Sequence, residues 1–303
     1  MAYHLPVLAK ESIEALHLQA ADTYVDATFG GGGHAKIILQ QLGDKGRLFG
    51  FDQDEDALQN ALPDERFTFV QSNFRHLKRF LRLHGVKTVA GILADLGVSS
   101  HQFDEATRGF SYRFDAQLDM RMNQEEERTA ANILQTYSAE ALQQVFSAYG
   151  EVRNARTLAQ HIVEERRNRP IQTVNDLLVI LEPLIRGQRL RYLSQVFQAL
   201  RIEVNDEMGA LREMLEQSLE VLQPGGRLVV ITYHSLEDRI VKNFLKTGNT
   251  EGEVKSDFYG NIFRPFKVLT KNPIEPSEAE IAQNPRARSA KLRVGEKVDG
   301  LLV

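Results

Sequence analysis

Four consecutive glycines near the start of this 303-residue chain separate a strand-like run from a helix-like one. The run TYVDATF at 23–29 is rich in β-branched and aromatic residues, and HAKIILQQL at 34–42 spaces its apolar residues as a helix does. Further strand-like segments are GRLFGFD (46–52), RFTFVQSNF (66–74), TVAGILADL (88–96) and, after a QPGG turn (223–226), RLVVITYH (227–234). Strands that alternate with helices predict an α/β fold with a doubly wound, mostly parallel sheet.

This alternation stops between residues 104 and 206, where segments such as ARTLAQHIVEERRNR have helical spacing. We therefore predict that 1–103 forms the first part of a core domain and 104–206 an inserted helical domain for substrate recognition. Residues 207–303 then complete the core and add a basic C-terminal segment. Within it, KLRVGEKV (291–298) is predicted to be a final edge strand.

Basic residues are unevenly distributed, although the net charge is −4. No lysine occurs between Thr88 and Val241, and residues 151–201 hold nine arginines against five acids. The segment NPRARSAKLR (284–293) adds four basic residues and no acid. The arginine fork suits phosphate contacts, so these regions predict a polyanionic partner, although any single arginine is more often a solvated surface residue.

Several classes of protein are disfavoured by composition. No stretch approaches the ~18 apolar residues of a membrane span, and residues 1–20 contain no basic segment followed by a long apolar run, so we expect a soluble, cytoplasmic protein. The chain has no cysteine, which removes disulfides, thiolate metal sites and thiol nucleophiles.

The glycines indicate a nucleoside site. Their bare backbone lets a ligand approach, and Asp52 lies 20 residues after Gly32 at the end of the second predicted strand, where an acid accepts hydrogen bonds from ribose. Gly30, Gly32 and Ala35 also match the G-x-G-x-x-A pattern of NAD(P) sites. Two features favour S-adenosylmethionine (SAM): Asp95 leaves little room for a nicotinamide at the end of the fourth strand, and an arginine-rich insertion follows it.

Several motifs resemble those of the small-subunit ribosomal RNA methyltransferase H family, also called MraW. They are HLPVL (4–8), DATFGGGGH (26–34), DLGVSSHQFD (95–104), RGFS (108–111), LDMRM (118–122), FQALRIEVN (197–205), YHSLEDRIVK (233–242) and NPRARSAKLR (284–293). The resemblance implies a Rossmann-like methyltransferase that uses SAM to methylate N4 of one cytidine in the decoding region of 16S ribosomal RNA. It also implies SAM contacts from Gly32, Gly33, His34, Asp52, Phe74, Asp95 and Gln102. The chain departs from the family pattern at DAQ (115–117), where D-G-P is usual, and at Phe103, where leucine is usual.

The residue content bears on the reaction. Methylation at cytosine C5 proceeds through a cysteine adduct, which this chain cannot form. Ribose 2′-O transfer commonly uses lysines, and only Lys10 and Lys242 keep that reaction open. Transfer to an exocyclic amine needs a positioned acceptor for an N–H, and Asp95 is our first candidate, with Ser99 and Ser100 behind it.

Contacts to the RNA are assigned from residue type. Phe110, Tyr112 or Tyr233 is expected to stack on the base, although each is more often a core aromatic. His234 is assigned to the base or a phosphate, with a structural role as the alternative. Phosphate contacts are expected from Arg201, Arg286, Arg288 and Arg293. His234, Glu237 and Asp238 lack a second histidine at ligand spacing, so no metal is expected.

Two other functions stay open at this point. One is an NAD-dependent oxidoreductase, supported by the glycine match alone, and the other is an RNA-binding module with a relict cofactor site. The expected partner is 16S ribosomal RNA, free or within the small subunit, and the protein is expected to be a monomer or a homodimer.

Overall fold

The structure, a computed structural model, describes residues 6–260 and 262–298, without the side chain of Ser100. The chain divides into two units. One combines Met1–Gly97 with Met208–Val303, and the other is Val98–Glu207.

The first unit is built on a seven-stranded sheet. Its strands are β1 (Thr23–Asp26), β2 (Arg47–Asp52), β3 (Phe67–Gln71), β4 (Val89–Asp95), β5 (Leu222–Thr232), β6 (Phe266–Val268) and β7 (Lys291–Lys297). They lie in the order β3-β2-β1-β4-β5-β7-β6. Strands β1 to β5 are parallel, and β7 is antiparallel to both of its neighbours, which confirms the predicted doubly wound, mostly parallel sheet.

The strand order places a crevice beside β1. The chain first runs outward from β1 through β2 to β3 and then returns to β4 on the other side of β1. In open parallel sheets, ligands bind at such a reversal, outside the carboxyl ends of the strands. Asp26, Asp52 and Asp95 are the last residues of β1, β2 and β4, so the three acids lie on this edge.

Two predictions about the last strands were wrong. Residues 223–226 do not form a turn before β5; Leu222 already pairs with Val89, and the four residues form an irregularity inside the strand. Strand β7 is not at the edge, because β6 pairs beyond it. A strand of only three residues shows no alternation long enough to be recognised.

The helices are α1 (Ala9–Leu16), α2 (Gly33–Gln41), α3 (Leu77–Leu83), α4 (Ser100–Asp104), α5 (Ala130–Thr136), α6 (Ala139–Gly150), α7 (Ala155–Glu165), α8 (Val174–Leu181), α9 (Arg189–Asn205), α10 (Glu207–Val221), α11 (Ser235–Thr247) and α12 (Glu278–Gln283). In the first unit, consecutive residues of β2 and β4 are buried, so both faces of the sheet are covered. In the part of the chain that the structure describes, no helix is both long enough and apolar enough to cross a membrane.

The second unit is helical and has its own core. Side chains from α5 to α9 form it, among them Ile133, Phe146, Leu158, Leu177 and Leu193. Thr129, Ser138 and Thr173 cap the first turns of α5, α6 and α8 by accepting backbone N–H groups, which fixes where these helices begin.

Candidate functional site

The glycine loop after β1 has a shape that only glycine adopts easily. Gly30 and Gly32 have positive φ angles of 49° and 72°, and Gly32 caps the start of α2. A Cβ at Gly32 would lie 2.9 Å from the Phe29 ring, and one at Gly33 would lie 3.2 Å from Pro6. A Cβ at Gly31 would meet nothing within 4 Å. The loop is therefore packed on one side and open at Gly31, where a ligand has access to the backbone.

Asp52 is held against this loop. Its Oδ2 accepts the Gly30 N–H at 2.8 Å and its Oδ1 accepts the Asp54 N–H at 2.9 Å. Burial raises the pKa of Asp52 to about 6, against the lowering effect of these backbone hydrogen bonds. Each oxygen keeps a second lone pair, so the carboxylate can also accept from a ribose hydroxyl, and the role in ribose binding stays a prediction.

Asp26 is a candidate that our sequence reasoning missed. It is 1% exposed, its Oδ1 accepts the Thr28 N–H at 3.2 Å, and its Oδ2 forms no hydrogen bond of good geometry. The Ala35 N–H in the first turn of α2 also interacts with this carboxylate and lowers its pKa. Burial raises its pKa to about 7, and repulsion from Asp52 adds to the shift. A buried carboxylate oxygen without a well-formed hydrogen bond is costly, which favours a ligand that brings a donor or a positive charge. The available signal was an acid four residues before the first glycine, Gly30, although its burial could not be inferred from sequence.

Asp95 lies at the end of β4, as predicted, and is bound from two sides. Its backbone N–H donates to Thr28 Oγ1 at 2.6 Å, and its Oδ1 accepts the Tyr233 hydroxyl at 2.7 Å. Burial raises the pKa of Asp95 to about 7; the Tyr233 hydrogen bond opposes this shift, and the charges of Asp26 and Glu237 add to it. The side chain keeps 22% exposure, so a substrate can still reach it.

His34 lies beside Asp95 but carries no charge. Its Nε2 donates to the Val7 carbonyl at 3.1 Å, which leaves Nδ1 unprotonated and 3.9 Å from Asp95 Oδ2. Burial lowers the pKa of His34 to about 4. At neutral pH the ring therefore fixes the start of α2 without compensating the negative charge of Asp95.

Other predicted site residues have structural partners. Phe74 is half-buried in the turn that follows β3. Ser99 and Gln102 belong to the second unit and form the reciprocal capping box of α4, with both hydrogen bonds at 3.1 Å. A catalytic role for Ser99 is thus unsupported, and the side chain of Ser100 lies outside the described part. His234 caps α11, and its Nε2 is 3.2 Å from Glu237 Oε1, which supports the structural alternative.

The expected base-stacking aromatics are engaged elsewhere. Phe110 is buried in the core of the second unit, and Tyr112 packs edge-on against Phe197 in the same core. The Tyr233 hydroxyl donates to Asp95. These contacts argue against a role for any of the three as an open stacking platform.

Two of the arginines assigned to RNA are in fact structural. Arg293 lies in β7, is 6% exposed and binds Asp238 through two hydrogen bonds of 2.6 and 3.0 Å. Arg201 binds Glu207 in the same forked way, at 2.8 and 3.0 Å. Both guanidinium groups are committed to a carboxylate, so we withdraw them as phosphate contacts. Arg286 and Arg288 lie exposed in a short turn and stay candidates.

The arginine-rich stretch of the second unit is only partly available. Arg166 donates to the Leu134 and Tyr137 carbonyls at 2.8 and 2.7 Å, and Arg189 pairs with Glu182. The other exposed members are Arg153, Arg156, Arg167, Arg186 and Arg191.

The carboxyl edge of the sheet is suited to a nucleoside with a cationic tail. The open backbone at Gly31 allows close approach, Asp52 offers lone pairs to a ribose, and Asp26 has a buried oxygen without a well-formed hydrogen bond. SAM combines a ribose with an ammonium group and a sulfonium centre, so the donor and charge requirements of the site match this cofactor.

Comparison with known proteins gives a match along almost the whole chain. The MraW methylase family matches residues 1–298. The Ribosomal RNA small subunit methyltransferase H of Bacteroides thetaiotaomicron is 56% identical over 298 residues, which cover 98% of each chain. The protein of the same name from Bacteroides fragilis is 57% identical over 296 residues and 97% of each chain. That of Flavobacterium johnsoniae is 56% identical over 299 residues, 98% of this chain and 99% of the relative.

Proposed function

Because the chain belongs to the MraW methylase family, we propose that it transfers the SAM methyl group to N4 of a cytidine in the decoding region of 16S ribosomal RNA. The observation that carries this proposal is Asp95. It is a partly exposed carboxylate at the carboxyl edge, next to the open glycine loop. The relatives' shared name supports the substrate class.

Asp95 suits an amine as the acceptor of the methyl group. An exocyclic amine is a weak nucleophile because its lone pair is delocalised, and a carboxylate that accepts one of its N–H groups polarises it and orients it. The Tyr233 hydroxyl holds Oδ1 at 2.7 Å, so the second oxygen is the one available to the amine. The ionised carboxyl can also take the proton that the amine loses once its nitrogen has been methylated.

Other residues at the carboxyl edge of the sheet are assigned to cofactor binding. SAM supplies an electrophilic methyl group when it is bound. Asp52 would accept hydrogen bonds from the ribose of SAM, and Asp26 would pair with its ammonium group. The Gly31 backbone would lie next to the cofactor. A cation near Asp26 and Asp95 lowers the pKa of both carboxyls, which favours the ionised form of Asp95 that accepts an N–H.

The second unit is proposed to recognise the RNA. Its exposed arginines Arg153, Arg156, Arg167, Arg186 and Arg191 supply planar donors for phosphates. The substrate would be the RNA within the small subunit, and the reaction would take place in the cytoplasm, where ribosomes are assembled.

The test is methyl transfer from labelled SAM to small ribosomal subunits that lack the modification, followed by mass mapping of the methylated nucleoside. We expect one N4-methylcytidine in the decoding region. Label on another atom or another RNA would refute the assignment of the target. Tight RNA binding without any transfer would favour the RNA-binding module, and a thermal shift with NAD but none with SAM would favour the oxidoreductase.

A further inference from the structure

Two adjacent aromatic side chains project from the segment between α11 and β6. Phe258 is 99% exposed and Tyr259 is 87% exposed, and their ring centroids lie 5.8 Å apart at an interplanar angle of 88°. Large aromatic rings contribute to folding by burial, and neither ring is buried. Their position therefore points to a partner outside this chain.

Backbone pairing joins the described residues on the two sides of these rings, 255–256 and 262–263, and we call this segment the aromatic hairpin. The Phe263 N–H donates to the Lys255 carbonyl at 2.8 Å, and Ser256 forms an antiparallel bridge with Ile262. At the tip, the Asp257 carboxylate accepts the Tyr259 N–H at 2.8 Å, and the Asp257 carbonyl accepts the Gly260 N–H at 3.1 Å. These hydrogen bonds restrict the backbone that carries the rings, which limits the backbone entropy lost on binding.

Basic residues flank the aromatic tip. From residue 251 to residue 267 the chain carries three exposed cations, Lys255, Arg264 and Lys267, and three exposed acids, Glu251, Glu253 and Asp257. Lys255 interacts with Glu251, whereas Arg264 and Lys267 follow the tip in a stretch without an acid. The Asp257 carboxylate is turned toward the backbone of its own turn. Exposed aromatic faces beside positive charge are the combination that single-stranded nucleic acids require, since each base offers a π-face and each phosphate a negative charge.

We propose that Phe258 and Tyr259 form a stacking platform for an unpaired base of the RNA substrate, with Lys255 and Arg264 at the adjoining phosphates. This proposal rests on the function proposed above, because it takes the polyanion to be RNA.

The platform contacts a different nucleotide from the one that reacts. The hairpin leads into β6, whose Phe266 pairs with Lys297 of β7. Glu296, the residue before Lys297, pairs with Arg227 of β5. Asp95 pairs with Ile231 of β5, about 13 Å farther along that strand at 3.3 Å per residue. The hairpin is thus anchored toward the edge of the sheet opposite Asp95, and it acts as a second anchor for the RNA.

The chain contains no tryptophan, so Phe258→Trp places a single fluorescent stacking group at the tip. We expect the fluorescence to be quenched when protein-free 16S ribosomal RNA or small subunits are added. The matched control is Glu216→Trp on α10 of the first unit, an exposed site between Glu213 and Glu220, which should show no quenching. Quenching by intact subunits but not by their protein-free RNA would overturn the proposal, since the tip would then contact a ribosomal protein.

A second measurement uses Phe258→Ser with Tyr259→Ser. Loss of stacking should raise the KM for small subunits about tenfold or more. The kcat and the Kd of SAM should stay at their wild-type values. An unchanged KM in an enzyme that methylates its target would refute the platform and leave the proposed function intact. Absence of methylation by the wild-type protein would instead refute the proposed function, and the tryptophan titration would still report whether the tip binds RNA.

Discussion

Gly32→Ala and Gly31→Ala each add one methyl group to the glycine loop, with different expected effects. Gly32 is required by the fold, whereas Gly31 is required for ligand binding. At Gly32 the φ angle is +72°, and the new Cβ would lie 2.9 Å from the Phe29 ring. A residue with a Cβ loses about 1–2 kcal/mol in this conformation, and overpacking adds about 1 kcal/mol or more. Gly32→Ala should therefore lower the free energy of unfolding by roughly 2–4 kcal/mol, or about 5–15 °C in Tm.

Gly31→Ala should leave stability unchanged and weaken SAM binding. Its backbone lies outside the left-handed region and its Cβ would meet nothing within 4 Å, so the free energy of unfolding should stay within about 0.5 kcal/mol of wild type. The new methyl group would occupy the space that we assign to SAM, and the Kd should rise about tenfold or more, which is about 1.4 kcal/mol or more.

Thermal melting by circular dichroism and SAM titration calorimetry measure the two effects separately. A Gly32→Ala protein that melts like wild type would show that the strain argument is wrong. A Gly31→Ala protein that binds SAM normally would show that the cofactor does not lie against this loop.

The remaining predictions concern the acids and the basic turn. Asp52→Ala should weaken SAM binding by about 1–3 kcal/mol by calorimetry, and an unchanged Kd would remove Asp52 from the ribose site. Asp95→Asn should abolish methyl transfer yet raise Tm at pH 8. Its carboxyl has a folded-state pKa of about 7, above the ordinary 3.8, so stability falls as pH rises from about 4 to 7 and the ionised carboxyl destabilises the fold at pH 8; a lower Tm at pH 8 would contradict this. Tyr233→Phe removes a hydrogen bond that lowers the pKa of Asp95, and the acidic limb of the kcat/KM profile should move about 1–2 units toward higher pH; an unmoved limb would exclude Asp95 as the titrating group. Replacing Arg286 and Arg288 by alanine should weaken RNA binding and flatten its salt dependence by about 1.4 in log–log slope at an unchanged SAM Kd, whereas a loss of SAM binding would assign the turn to the fold.

The sheet and most of its acidic edge were predictable from sequence because they depend on chain order. Once strands alternate with helices, the sheet is parallel and its carboxyl ends share one edge, which brings Asp52 and Asp95 together. The position of the loop Gly30–Gly33 was predictable for the same reason, because the loop directly follows the first strand. The importance of Asp26 was not predictable, because its incomplete hydrogen bonding depends on the packing around β1.

The functions of the polar and aromatic residues were harder to predict. Ser99 and His234 have the chemistry of catalytic groups, but each is used by the backbone N–H groups at a helix start. Arg293 looks like part of a basic tail in the sequence, and only the pairing of β7 with β5 places it against Asp238. The aromatic tip at Phe258 lies in a segment without periodicity, so sequence reasoning assigned it no role.

The position of the second unit has a consequence for the order of folding. Strands β4 and β5 are neighbours in the centre of the sheet, yet Asp95 and Leu222 are separated by about 130 residues. During synthesis at about 5–20 residues per second, β4 would wait roughly 6–25 s for its partner, with its unpaired edge exposed. A helical unit with its own core can form in that interval from local contacts, before β5 arrives. We expect the helices of residues 98–207 to gain protection from hydrogen exchange first during refolding, and the pairing of β4 with β5 to be the late, slow step.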